Sequence, residues 1–297
     1  MNVKSIKQLA LQSSLLEHLS YSQRVLEFSN RLDSISTLNE LLAYTKEFMF
    51  TERDYYQSIG AQQVENFIRD LEELFLCFYQ NDFNSIPLKS LIIILLKQQV
   101  EICWYDGFDR YLNSDQIDCD RQLYDLTSRP PRYHLNFSFT VLQEAGIHRF
   151  LNSLKRRLRL LLNHPAGGTV GMKTVRCKLA IIALLNQLSD DVGKLCRRSV
   201  SLQVNSIIRT VEHQQHLAGL GYWAPQTTSH STGYAVDIEQ AWYAKNDRQL
   251  FEGIQLVLED YARRLHLNVI DEERIWHICL NPQLIEFYEN RLSLWTI

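Results

Sequence analysis

Between Val64 and Tyr79 the apolar residues Val64, Phe67, Ile68, Leu71, Leu74, Phe75 and Phe78 recur at steps of three and four, with Glu65, Arg69, Asp70 and Glu73 between them. That spacing draws one apolar stripe along a helix of 3.6 residues per turn, so it predicts an amphipathic helix with a single core-facing side. The same spacing over Ile6–Leu32, Leu38–Phe48, Leu88–Tyr105 and Phe139–Leu162 predicts further helices. They are separated by Asn81-Asp82, Pro87, a polar loop from Asn113 to Asp120, and Pro130-Pro131. Glycine occurs only at positions 60, 107 and 146 in this half, which favours helices over a turn-rich sheet. An irregular helical bundle is expected for residues 1–165.

The texture changes at Asn163–Thr169, where His164-Pro165-Ala166-Gly167-Gly168 interrupts two helical patterns, and the domain boundary is expected there. Val175 to Leu195 then reads as a helix, whereas Ser201–Ile208, Tyr234–Ile238 and Ile275–Leu280 are short, β-branched or alternating runs, the last closed by Asn281-Pro282. Helices alternating with short strands predict an α+β fold for residues 166–297, with a short antiparallel sheet.

Composition narrows the partners. A hydrophobic share of 45% supplies a core, and 31 basic against 34 acidic residues leave a formal net charge of -3, without the positive excess that attracts a phosphate backbone. No nucleic-acid partner is expected. The basic run Lys155, Arg156, Arg157 and Arg159 reads as a solvated helix face. Leu91–Leu96, the most apolar segment, is far shorter than the roughly 20 residues a membrane span requires, so it predicts a buried helix. Lys4 and Lys7 are followed by Gln8, Gln12, Ser13, Ser14 and Glu17 rather than an apolar run. That pattern predicts no signal peptide and a cytoplasmic location, with export by another route left open. The six cysteines are scattered without a CxxC pair, as expected of reduced thiols.

One segment carries a sharper signal: Thr228-Ser229-His230-Ser231-Thr232-Gly233-Tyr234-Ala235-Val236-Asp237. Upstream stand Ser206-Ile207-Ile208-Arg209-Thr210, and downstream Glu272-Glu273-Arg274-Ile275-Trp276-His277. The first piece resembles the S-x-H-x-x-G-x-A-x-D motif of the D-alanyl-D-alanine dipeptidases and carboxypeptidases, whose distant relatives include the hedgehog signalling domain. Thr228 replaces the serine and keeps a hydroxyl. The upstream piece resembles the family's Ser-x-x-Arg segment, and Trp276-His277 its closing Glu-x-Trp-His. About 90 residues are covered, in three pieces in the family's order.

The resemblance implies a hedgehog-like zinc domain with His230, Asp237 and His277 as metal ligands, and Arg209, Ser206 and Thr228 facing the substrate. It implies zinc-dependent hydrolysis of short peptides, cell-wall stem peptides or D-Ala-D-Ala ends among them. Two neutral imidazoles and a carboxylate leave a fourth zinc position for a water whose pKa the metal lowers to about 7. An arginine beside it can hold a carboxylate or a developing oxyanion.

The sequence departs from the family at the general base, since Arg274 stands where the family glutamate would be, three residues before His277. Of Glu272 and Glu273, Glu273 is the expected base, because four residues along an extended chain return to the face of His277. The displaced glutamate also keeps open a zinc-stabilised binding module without turnover, or a helical N-terminal half that recruits a protein partner. Read singly, His230 is more often a turn residue and Asp237 a cap. His213 and His216 read as part of a solvated helix face. Cys279, two residues past His277, reads as a buried thiol, and Trp223 and Trp242, flanking the motif, as core or cleft lining.

Overall fold

The computed structural model describes residues 21, 23–32, 34, 35, 37–58, 88–142, 164–165, 171–219 and 228–297. The chain divides into two compact units, residues 1–106 and 107–297. The helix expected over 64–79, the basic run 155–159 and Trp223 lie outside the described residues.

The first unit is helical where it is described. A helical stretch over 23–32 is followed by α1 (Leu38–Thr51), α2 (Arg53–Ser58) and α3 (Leu88–Trp104). Helix α1 starts where Thr37 and Glu40 form a capping box: the Thr37 hydroxyl accepts from the Glu40 N–H, and the Glu40 carboxylate from the Thr37 N–H, each at 3.3 Å. Val25, Phe28 and Leu32 recur at steps of three and four and are buried with Leu41, Met49, Ile92, Leu96 and Val100. Tyr21 joins them by donating its hydroxyl to the Leu96 carbonyl at 2.8 Å. Ile92, Ile94, Leu95 and Leu96 of the apolar segment are thus buried. No helix among the described residues is long and apolar enough to cross a membrane.

The second unit is α+β. A five-stranded sheet has the order β2 (Phe137–Phe139), β4 (Leu202–Ser206), β5 (Ala235–Glu239), β7 (Ile275–Leu280), β6 (Leu267–Asp271); a two-stranded ribbon pairs β1 (Leu123–Asp125) with β3 (Arg176–Lys178). Helix α4 (Ser114–Cys119) precedes β1, α5 (Leu179–Cys196) follows β3, and α6 (Val211–Gly219) follows β4. Beyond β5 come α7 (Ala241–Asn246), α8 (Arg248–Arg263) and, after β7, α9 (Ile285–Arg291). Helix α5 is the centre of the core, burying Ala180 to Leu185, Leu188 and Val192, and α8 and α9 pack against it.

Several expectations are corrected. The division expected at 163–169 falls within the second unit, because β1 and β2, which precede it, pair with β3 and β4, which follow it. Phe137-Ser138-Phe139 is a strand running parallel to β4, so the sheet is mixed rather than purely antiparallel; the helix expected from Phe139 begins in strand, and most of its remainder lies outside the described residues. Its alternation of apolar and polar side chains is a period of two that the flanking leucines obscured. The polar loop expected from Asn113 holds α4, capped by the Asn113 carboxamide oxygen, which accepts from the Gln116 N–H at 3.1 Å. The helix expected from Val175 starts four residues later, after β3.

Candidate metal centre

Strand register assembles the site. In β5 every residue is buried, and alternation sends Val236 and Ile238 to one face and Ala235, Asp237 and Glu239 to the other. Asp237 stands directly opposite His277 of β7 on one side and Ser206 of β4 on the other. Cross-strand partners on one face hold their Cβ atoms about 5 Å apart, so the two metal-type side chains, 40 residues apart in sequence, become neighbours.

The third side chain comes from a 3₁₀ turn, Ser229–Thr232. Thr228 caps it, its hydroxyl accepting from the His230 N–H at 3.3 Å, and Gly233 closes it at φ 82°, a left-handed conformation that glycine adopts without strain. A side chain at Gly233 would also press on Lys178 Cγ, 3.3 Å from where its Cβ would lie. From this turn His230 reaches Asp237.

The three side chains converge on one oxygen. His230 Nε2 and His277 Nδ1 each lie 3.1 Å from Asp237 Oδ1, and their ring centroids are 4.9 Å apart at 68°. The donor atoms of all three residues lie within 4.8 Å of one another, and all three residues are buried.

The other ring nitrogen of His230, Nδ1, lies 2.6 Å from the Ile207 carbonyl oxygen. A carbonyl only accepts, so Nδ1 carries the hydrogen and Nε2 presents a lone pair to the Asp237 carboxylate. Two acceptors facing each other at 3.1 Å are repulsive without a cation between them, so the donor set fits a metal ion. Burial, then the charges of Arg209 and His277, hold the pKa of His230 well below the ordinary histidine range, which keeps the imidazole neutral as a ligand must be. Ser229, which the sequence reading did not single out, places its hydroxyl 3.5 Å from His277 Nε2.

Arg209 closes the solvent side. Its Nη2 donates to Asp237 Oδ2, its Nε donates to the Ser206 hydroxyl at 2.9 Å, and its side chain retains 28% exposure against 2% for Asp237. Asp237 thus spends one oxygen on the guanidinium and leaves the other to the imidazoles. Ser206 and Thr228, expected to face substrate, are bonded to Arg209 and to the His230 backbone and act as positioning groups.

The two glutamates separate. Residues 272–275 form the tight turn between β6 and β7, with the Glu272 N–H donating to the Ile275 carbonyl at 3.1 Å. Glu273 occupies its apex at φ 64°, with an exposed side chain and its N–H bonded to Asp271 Oδ1 at 2.8 Å. The alternation argument for Glu273 assumed an extended chain, and the turn removes that premise. Glu272 is half-buried, and its charge acts on Arg209: burial draws the guanidinium pKa down, and Glu272 opposes that.

Glu239, also missed, lies one pleat from Asp237 on the same face. Its oxygens accept from Asn205 Nδ2 at 2.8 Å and the Trp242 N–H at 2.9 Å; its position two residues after Asp237 was the signal. Trp242 itself packs against the core, and Cys279 is a buried thiol, in no disulfide, outside the cluster. No protein-family model matches the chain, and no curated protein or solved structure matches it either.

Proposed function

We propose that residues 107–297 form a zinc-dependent hydrolase domain acting on short peptides, with stem peptides or D-Ala-D-Ala ends as the substrate class that the motif resemblance implies. The observation that carries this reading is the convergence of His230 Nε2 and His277 Nδ1 on Asp237 Oδ1, with the His230 hydrogen committed to Ile207. Two imidazoles and one carboxylate are the donor set of an open zinc site. When bound, the ion would supply Lewis acidity to a water and to a peptide carbonyl.

The chain's own groups supply the rest. Arg209 is aligned by Ser206 and Asp237, and its Nη1 has no partner among the described residues, so it can hold a substrate carboxylate or the charge that develops on a carbonyl oxygen. Glu272, the half-buried carboxylate whose charge reaches Arg209, takes the role of proton acceptor and then donor to the leaving amine. Glu273, at the exposed apex, does not.

The test measures zinc content and amino-acid release from D-Ala-terminated and muramyl peptides, for the full chain and for a His230→Ala, His277→Ala double variant. One zinc per chain with release, both lost in the variant, is the expected result, and a wild-type chain that takes up no zinc overturns the reading. Zinc without release would favour a second reading, a zinc-stabilised binding module. Arg274 at the position of the family glutamate is the observation on its side.

A further inference from the structure

A cleft of about 390 Å³ opens beside Tyr234, bordered by Arg121, Arg132 and Lys178. It is separate from the metal centre. The β5 ladder continues to Tyr234, whose carbonyl accepts from the Leu280 N–H at 3.0 Å, and three residues along a strand turn a side chain to the opposite face from Asp237.

The lining carries three cations and a single carboxylate, the exposed Glu289. Lys178 is committed elsewhere: its ammonium lies 3.2 Å from Asp120 Oδ2 and over the rings of Tyr111 and Tyr234, at 5.4 and 5.9 Å. Arg121 and Arg132 have no ion-pair partner among the described residues, although carboxylates are plentiful in the chain. The Arg132 guanidinium instead lies 5.3 Å from the centre of the Tyr133 ring, and Tyr124 meets Tyr133 edge to face at 5.1 Å. Burial, then the charges of Glu289 and Asp120, push Tyr234 up to about 12, so its phenol stays protonated.

Two unpaired guanidinium groups at the edge of a small concave site are forks for an oxyanion, and the adjoining tyrosines give a flat ring something to pack on. The volume lies near the lower end of small-molecule sites, about 300–1,000 Å³, which suits one ring with its anionic group rather than a polymer. We propose that this cleft binds a small ring-bearing oxyanion, a phosphate or carboxylate, held by Arg121 and Arg132 against Tyr124, Tyr133 and Tyr234.

Calorimetric titration of the full chain at fixed ionic strength tests this with phenyl phosphate, benzoate and, as a neutral control, phenol. The expected result is saturable binding of phenyl phosphate, benzoate or both, with phenol at least about tenfold weaker, and a loss of about tenfold or more in an Arg121→Ser, Arg132→Ser variant. The preferred probe identifies the oxyanion. Both arginines are exposed, so the variant keeps the core intact. Binding should persist in His230→Ala. Absence of saturation with both anionic probes, undiminished binding in the double arginine variant, or loss in His230→Ala, which would put the anion at the metal centre, each overturns the proposal.

Discussion

His230 gives its Nδ1 hydrogen to the Ile207 carbonyl across 2.6 Å, and that bond decides which ring nitrogen is left for a cation. Ile207 lies just beyond β4, and the same segment supplies Arg209, whose guanidinium holds Asp237 Oδ2. One stretch of backbone therefore orients a histidine and aligns the carboxylate opposite it. Both devices leave lone pairs directed at the same point, a high-energy arrangement that a bound ion would relieve.

Metal removal should therefore lower stability as well as any activity. An ion present at a hundredfold over its Kd stabilises by about 2.7 kcal/mol, which for a unit of this size corresponds to a Tm change of roughly 5–10 °C. Dialysis against a chelator should lower Tm by that amount, and added zinc should restore it. A Tm indifferent to the chelator in protein that carried zinc beforehand would show that the triad does not hold the ion.

Much of the site was legible because its parts follow short local rules. The spacing from His230 to Asp237 spans one turn and the start of one strand, and Gly233 marks the turn by the left-handed backbone it adopts. Ile275–Leu280 was recognisable as a strand to the residue, since its apolar run is closed by Asn281-Pro282. The choice between Glu272 and Glu273 depends on where a hairpin turns, which alternation cannot tell, and the turn puts Glu273 at an exposed apex with Glu272 half-buried beside it. The Ile207 carbonyl left no trace in side-chain chemistry. The division after Asp106 was hidden because strands as short as Leu123–Asp125 and Phe137–Phe139 are too brief to stand out from the residues around them, and only pairing with distant segments stabilises them.

Replacing the two turn glutamates should separate their roles. If the domain hydrolyses peptides, Glu272→Gln should lower kcat by about 10²- to 10⁴-fold with zinc retained, while Glu273→Gln should stay within about twofold. The reverse order would return the base to Glu273. Independently of activity, Glu273→Gly should leave Tm unchanged or raise it by the equivalent of up to about 1 kcal/mol, since glycine removes the strain of a left-handed glutamate but loses more chain entropy on folding.

Asp120 should shape the acid limb of stability. Burial alone would raise its pKa, but hydrogen bonds from Tyr111, the Gln122 N–H and Lys178 outweigh it and hold the carboxyl below the usual aspartate range. A depressed folded-state pKa contributes stability above the unfolded value, about 3.9, and that contribution is lost as pH falls through the folded value. Thermal melts between pH 6 and pH 2.5 should therefore show Asp120→Asn below the wild type at pH 6, with the gap narrowing below about pH 4. A gap constant across the range would mean that the Asp120 charge contributes nothing to folding.

Gly253 offers a test of how closely α5 and α8 approach, because two effects of opposite sign meet there. Alanine in a helix interior is favoured over glycine by about 1 kcal/mol. At this buried position, however, the added methyl would be driven into Cys196 Sγ, with Val192 Cγ1 at 3.9 Å behind it. Overpacking of this kind costs about 1–3 kcal/mol, which leaves a net cost of up to about 2 kcal/mol, so Gly253→Ala should lower Tm by up to roughly 8 °C. The same substitution in a Cys196→Ala background meets no sulfur, and there the helix preference should leave Tm level or higher. Equal losses in both backgrounds would show that the obstacle to a side chain at 253 is not the Cys196 thiol, and the double-mutant cycle would give a coupling near zero.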